Sequence, residues 1–530
     1  MSLHEVETAV LQAGSAPEET ALADSEVTAT PVDGRPDGFV AKLRQPLQLL
    51  FSFPAAMLSV LGLIVFLMAR NGFNDPDIWW HMRNAEYLLT HLQFPRVDMY
   101  SFTVAGHPWV NPEWLGEIPF YLAFRAWGLV GVKLVTLLAA EVVLFGLFGL
   151  FYLCYKSCDN LKASVVAAGL AVFLAVVNFG PRTILFGYGC LLIMLLILER
   201  FRAEGRARLW LLPPLFCLWV NTHGSWLIGL VVFGIVIASG LVEGAWGRVE
   251  ATRWSPRQLR NLLLAFGGSI AALFVNPYGS RLVLWSIEFP FRMKLGVAHV
   301  QEFMSVNFHD ARGKLVLLLL VGLLIAALTS DYRWSLREVG LVLFALYSGL
   351  TYERFLFLAA ILIAPLIAKF LDFLPPYQPE IDKPLFNGII LGGVLATIIF
   401  WFPTTAQLRK SLAAAYPVDA LPYLQSHNIS GPVFNDYLWG GYLEWNQRDL
   451  KTFVDSRVDV FEDAGVFKDY INALDMVDPL HVLDKYRIRY VLFSANQPLT
   501  YLLSNSPEWK VLYKSQVSVL FERSNKNSDE

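Results

Sequence analysis

Apolar runs dominate the chain from about residue 47 to residue 403, broken by short polar connections. A helix needs about 17–25 apolar residues to cross the hydrocarbon core of a bilayer. Runs of that kind predict spans near 47–69, 129–153, 161–179, 183–199, 208–221, 225–243, 260–275, 314–330, 336–350, 354–373 and 385–403. The pattern differs on either side of this region. Residues 1–45 scatter Glu5, Glu7, Glu18, Glu19, Asp24, Glu26, Asp33 and Asp37 among Pro, Ala and Thr, which predicts a disordered acidic cytoplasmic tail. No basic stretch followed by a short apolar one opens it, so the first span is expected to act as an uncleaved signal anchor. Beyond residue 405, short alternating stretches predict strands at Pro432–Asn435, Lys451–Asp455, Arg489–Ser494, Lys510–Tyr513 and Val517–Glu522, and Pro417–His427 predicts a helix. The expected fold class is an α-helical polytopic membrane protein of about eleven transmembrane helices with a C-terminal extracytoplasmic α/β domain. Its membrane domain would occupy 46–404, with outer loops at 70–128 and 276–313, and the α/β domain 405–530.

Basic residues fall in alternate short loops: Lys156 and Lys162; Arg200, Arg202, Arg206 and Arg208; Arg248, Arg253, Arg257 and Arg260; Arg333 and Arg337; Lys369 and Lys383. The short loops between them carry only Arg182 or Arg354, or no basic residue. Positive-inside bias then puts the N-terminus in the cytoplasm. An odd number of spans puts the C-terminus outside, on the same face as both long loops.

Composition strengthens the membrane reading. The 530 residues are 55% hydrophobic and only 16% charged, where soluble domains hold about 25% charged residues. A net charge of −3 leaves no basic field for nucleic acid. Cys154, Cys158, Cys190 and Cys217 lie in or beside spans. Cys154 and Cys158 are one helical turn apart with no His or further Cys nearby, so they are expected to pack rather than to hold metal.

Candidate chemistry gathers on the outer side. Asn74–Trp114 crowds Asp75, Asp77, His81, Arg83, His107, Asn111 and Glu113 among tryptophans, directly after a span. Ionisable groups at a membrane boundary are costly and mark sites. Asp77–His91 predicts a helix, opened by Pro76, capped by Asp77 and rimmed by Trp79, Trp80 and Tyr87 as if lying in the headgroup layer. A second surface helix is expected over Glu113–Trp127. Asp77 and His81 are four apart and share a face; they suit a base with its orienter, or two ligands of a divalent cation such as Mg2+ or Mn2+. Arg182 after Pro181 and Arg354 beside Glu353 stand at outer membrane edges. A guanidinium there either snorkels or clamps phosphate. His223 in WVNTHGSW, and Glu302 in HVQEF, are also on this face. Asp455, Arg457 and Asp459 suit an exposed ion-pair network or an acceptor surface. The strand-to-helix junctions lack a Gly-rich phosphate loop, which speaks against a nucleotide site.

The segments DPDIWWHMRNAEYLL, FPRVDMYSFTVAGHPWVNPEWL, FGPRTILFGYGCLL, LWVNTHGSWLIG, NPYGSR and NDYLWGGYLEW…KTFVDSRVDVF together resemble bacterial polytopic proteins of the GT-C glycosyltransferase superfamily. Such proteins are similar to lipopolysaccharide-core and dolichyl-phosphate-mannose-dependent mannosyltransferases. The resemblance runs from about residue 45 to 523 and lies in the order of the motifs. It implies a GT-C-like fold and a hexosyltransferase active in polysaccharide biosynthesis at the outer face of a bacterial cytoplasmic membrane. The donor would be a polyprenyl-phosphate sugar lipid, and the acceptor a cell-envelope glycan, lipid or protein. It also implies a catalytic Asp in the first outer loop, best matched by Asp77 and next by Asp75, with His81 beside them. Many such enzymes carry an adjacent Asp-Glu pair there, whereas this chain has Asp-Pro-Asp. On this reading Arg182, Arg354 and Arg83 meet the donor phosphate, and His107, Asn111, Glu113, His223 and Glu302 meet substrate. A non-enzymatic transporter or flippase, or an envelope polysaccharide assembly factor, is the alternative.

Overall fold

A computed structural model describes residues 48–524 apart from 71, 74, 145–148 and 176–178. The acidic tail expected at residues 1–45 lies outside the described residues.

Helices α1 (Phe53–Ala69), α2 (Asp77–His91), α3 (Trp114–Leu144), α4 (Leu150–Cys158), α5 (Leu161–Ala175), α6 (Ile184–Glu204), α7 (Leu212–Thr222) and α8 (Trp226–Ala238) come first. They are followed by α9 (Pro256–Ala272), α10 (Ser280–Arg292), α11 (Lys294–His299), α12 (Ala311–Thr329), α13 (Leu336–Thr351), α14 (Leu356–Phe370) and α15 (Pro384–Trp401). Among the described residues, four of the expected spans appear as helices long and apolar enough to cross a membrane by themselves: α3, α6, α12 and α15. Shorter apolar helices, among them α1, α5 and α8, accompany them. Leu318, Leu324, Leu328, Leu385, Ile389 and Phe400 are exposed on α12 and α15. Apolar faces of this extent suit hydrocarbon rather than water. The chain is a polytopic membrane protein with a mostly helical body.

Several expectations change. The surface helix over Glu113–Trp127 and the following span are one helix, α3, broken where Trp127 and Gly128 leave helical geometry. Gly128 takes a φ of 59°, a left-handed conformation that glycine adopts without a Cβ penalty. The span expected at 129–153 is divided, with α4 starting only at Leu150. At the start of α3's apolar stretch, buried Lys133 donates to the carbonyls of Ala69 and Gly72 at 3.1 and 2.7 Å. It thereby caps the end of α1 and fixes where the chain departs toward α2.

A small sheet joins the connections that carry the arginine clusters: β1 (Gly244–Trp246), β2 (Val249–Ala251) and β3 (Trp334–Ser335). These strands were too short to stand out as an alternating pattern. Glu199 holds both Arg202 and Arg337 nearby.

After α16 (Thr405–Ala415), the C-terminal part forms a sheet ordered β4-β5-β7-β6, with β4 (Val433–Asn435), β5 (Tyr490–Ser494), β6 (Trp509–Lys514) and β7 (Ser518–Arg523). β4 runs parallel to β5; the other pairings are antiparallel. The expected strand at Lys451–Asp455 reduces to bridges from Thr452 to Ser101 and Val433. Short helices cover the sheet: α17 (Leu421–Ser426), α18 (Gly440–Asn446), α19 (Val458–Asp463), α20 (Val466–Leu474), α21 (Pro479–Lys485) and α22 (Pro498–Ser504).

Helix α2 sits inside this layer. Trp79 packs edge-on against Tyr416 and Tyr442, and Trp80 against Trp109. Trp79 and Trp80 are therefore buried rather than an exposed headgroup rim. The reason is local: Gly440 and Gly441 let α18 approach so closely that a Cβ on Gly441 would stand 3.2 Å from the Pro76 carbonyl. Asp455 and Arg457 are likewise buried, not an exposed network. The Arg457 guanidinium pairs with Asp98 at 2.6 Å and with Asp455, and lies over the rings of Tyr100 and Trp109.

Candidate functional site

The sequence Asp75-Pro76-Asp77 builds the start of α2. Asp75 Oδ1 accepts the Asp77 backbone N–H at 2.9 Å, so the capping expected of Asp77 is supplied by Asp75. Asp77 is left half-buried in the first turn, where the helix dipole favours a negative charge. Its Oδ1 accepts the Trp80 indole N–H at 3.2 Å, and the same N–H reaches Ser456 Oγ.

One turn on, His81 is buried between two carboxylates. Nδ1 is 2.8 Å from Glu117 Oε1 and Nε2 is 3.3 Å from Glu113 Oε2. Glu113 stands just before α3 and Glu117 in its first turn. Burial alone would lower the His81 pKa. The Glu117 hydrogen bond and the charges of Glu113, Glu117 and Asp77 outweigh it and lift His81 to about 9. Asn111 donates to Glu117 Oε2 at 2.8 Å, and Asn84 donates to Glu117 Oε1. Glu113 also accepts the Thr183 hydroxyl. Burial pushes Glu113 up to about 7 against the pull of His81 and Thr183.

His223 closes this line from the turn between α7 and α8. Its Nδ1 accepts the Ser225 N–H at 3.0 Å, and its Nε2 lies 3.4 Å from Glu113 Oε1. Burial, reinforced by the charges of Arg354 and His81, lowers His223 to about 3. The ring is neutral, and with Nδ1 accepting, its proton sits on Nε2 facing Glu113.

A second chain of charges runs beside the first. Arg182, from the connection before α6, bonds Asp75 through Nε and Glu302 Oε2 through Nη1 at 2.7 Å. Arg354 Nη1 is 3.1 Å from the other Glu302 oxygen, with its guanidinium over the Phe303 ring. Burial would raise Glu302, but Arg354 and Arg182 prevail and hold it down at about 2.

The structure therefore brings Asp75, Asp77, His81, Asn111, Glu113, Arg182, His223, Glu302 and Arg354 together from distant stretches of the sequence. It does not bring Arg83 or His107. Arg83 projects from another face of α2 and pairs with Glu86 at 2.6 Å. His107 turns to Asp463, 3.1 Å away, because its loop folds over α19. Glu117 and Thr183 escaped the sequence reading. Glu117 stands four residues after Glu113, a spacing that puts both acids on one helical face. Among the described residues no group of three or more His, Cys, Asp or Glu is arranged to hold a metal ion. Asp75 is engaged by Arg182 in an ion pair.

No protein-family model matches the chain, and no curated protein matches it. Solved structures do. The oligosaccharyltransferase of Archaeoglobus fulgidus, tethered with an acceptor peptide through a disulfide bond, aligns at a TM-score of 0.51 and 14% identity, over 89% of this chain and 74% of that one. ArnT from Cupriavidus metallidurans bound to undecaprenyl phosphate gives a TM-score of 0.48 at 13% identity, over 88% of this chain and 97% of that one. The chain thus shares its fold with the Archaeoglobus fulgidus oligosaccharyltransferase: an apolar helical body with a sheet domain near the C-terminus.

Proposed function

We propose that the protein transfers a sugar from a polyprenyl-phosphate-linked donor to a cell-envelope acceptor at the outer face of the membrane. The observation that carries this reading is the Arg182–Glu302–Arg354 bridge beside Asp77. Two guanidiniums share the two oxygens of one anion, the disposition that also suits a phosphate. A donor phosphate entering there shares those donors with Glu302 or displaces it. The lipid tail stays in the bilayer.

Asp77 is the base in this scheme. It is more open to solvent than Asp75, which Arg182 holds in an ion pair. The acceptor hydroxyl gives its proton to the Asp77 carboxylate as its oxygen attacks the anomeric carbon. The bond from that carbon to the phosphate oxygen breaks, and the electron pair leaves with the lipid phosphate. Arg182 and Arg354 stabilise the charge that develops on it. Configuration at the anomeric carbon inverts. His81, Glu113 and His223 line the approach and hold Asp77's surroundings in a fixed pattern of charge.

The test is transfer of radiolabelled sugar from synthetic polyprenyl-phosphate hexoses by the purified protein. Asp77→Asn should lower the rate by about 10²–10⁴-fold, the usual worth of a positioned base. Undiminished transfer by that variant would remove Asp77 from the role.

A further inference from the structure

A groove of about 320 Å³ opens along the face of α2 that carries Arg83, Glu86 and Tyr87, turned away from the face bearing Asp77 and His81. Tyr100, Glu444 and Arg448 complete its wall, and Lys451 stands at its rim. Arg83 and Arg448 both hold Glu86, at 2.6 and 2.8 Å. The Tyr87 ring stacks on His91. The Lys451 ammonium donates to the Met99 carbonyl at 2.6 Å.

Glu444 is the unusual member. It is 3% exposed. Its Oε1 accepts the Thr452 hydroxyl at 2.6 Å, but its Oε2 is buried and has no hydrogen-bond partner among the described residues. Native proteins leave few buried polar atoms unpaired, and an exception asks for a partner from outside. Burial and the nearby Asp455 push the Glu444 carboxyl up from its ordinary value. Three cationic side chains, Arg83, Arg448 and Lys451, stand around the two acids Glu86 and Glu444. A buried carboxyl, an aromatic ring and a cationic rim together offer a hydroxyl partner, a flat apolar surface and a counter-charge.

We propose that this groove binds an anionic saccharide unit, with a ring hydroxyl on Glu444 Oε2 and an acid group at Arg448 and Lys451. Calling that saccharide part of the acceptor rests on the transferase reading above; its chemistry does not. Uronates and sugar phosphates share the required anion.

Full-length protein in nanodiscs would be titrated with trigalacturonate, glucose 6-phosphate and neutral maltotriose, following binding by calorimetry. At least one anionic ligand should bind saturably, with maltotriose at least tenfold weaker. The preferred anion assigns the acid group to a carboxylate or a phosphate. Arg448→Ala combined with Lys451→Ala, both solvent-exposed positions, should weaken the anionic ligand at least tenfold and leave the melting temperature in place. Tyr87→Ala should weaken it as well, and Asp77→Asn should bind as the wild type does. No saturable binding, equal affinity for maltotriose, or a double variant that binds like the wild type would overturn the proposal. Wild-type protein that binds the anionic saccharide but transfers no sugar would count against the transferase reading and leave the groove standing.

Discussion

His81 carries the most legible electrostatic consequence at the scale of single residues. The folded protein holds its proton until about pH 9, against about 6.5 for the free side chain. Its stabilisation is complete below about pH 6.5 and is lost as pH rises through about 9. Over that window it amounts to about 3 kcal/mol. Melting temperatures of the detergent-solubilised protein should fall between pH 6.5 and pH 9, and His81→Gln should flatten that fall. Arg457 offers a second case. Arg457→Met would leave Asp98 and Asp455 buried without a counter-charge, at a cost of about 3–5 kcal/mol; thermal unfolding should show it as a large drop. Sequence spacing placed Asp77 and His81 in one turn and set Arg182, Arg354 and His223 at polar breaks between apolar runs. It gave no hint that His81 would turn to Glu117 rather than to Asp77. That choice depends on where α3 begins relative to α2, a tertiary matter that spacing within α2 does not encode.

Helices and strands tell the same story one level up. The long apolar runs announced their helices because burial in hydrocarbon leaves the backbone no other way to satisfy its hydrogen bonds. The breaks inside them were harder to see. Trp127-Gly128 ends one axis of α3 and starts another without a proline or a charge to mark it. Trp79 and Trp80 look like headgroup anchors by composition, yet they are covered by residues more than three hundred positions later. Thr452 and its neighbours alternate as a strand should, but only single bridges form there. The pair Gly440-Gly441 is a contact surface. A Cβ on Gly440 would lie 2.3 Å from the Val454 carbonyl. Gly440→Ala should therefore push α18 off its seat and cost about 1–3 kcal/mol, read as a lower melting temperature and faster proteolysis between residues 436 and 455.

For the molecule as a whole, the sidedness read from basic loops meets a structural requirement. The segment between α1 and α3 and the C-terminal layer share a core through Trp80, Trp109, Phe434 and Phe453, so they must lie on one side of any membrane. Single cysteines at Thr90 and Ser515, in a background with Cys154, Cys158, Cys190 and Cys217 replaced, should react with an impermeant maleimide from the same side. Labelling of the two from opposite sides would contradict the topology. The overall architecture was readable because hydropathy alone orders the spans; the convergence of the site was readable only as a shared face, since apolar periodicity carries no information on which polar breaks meet.

The wedge of α2 between the helical body and α18 also bears on how such a chain can be rebuilt. A hybrid joined at residue 404, with its tail taken from a distant homologue, would set foreign side chains against two tryptophans shaped for their native neighbours. Exchange of the tail should succeed only when the stretch from Phe73 to Glu113 travels with it, so that these two separated pieces of sequence behave as one inheritable cassette.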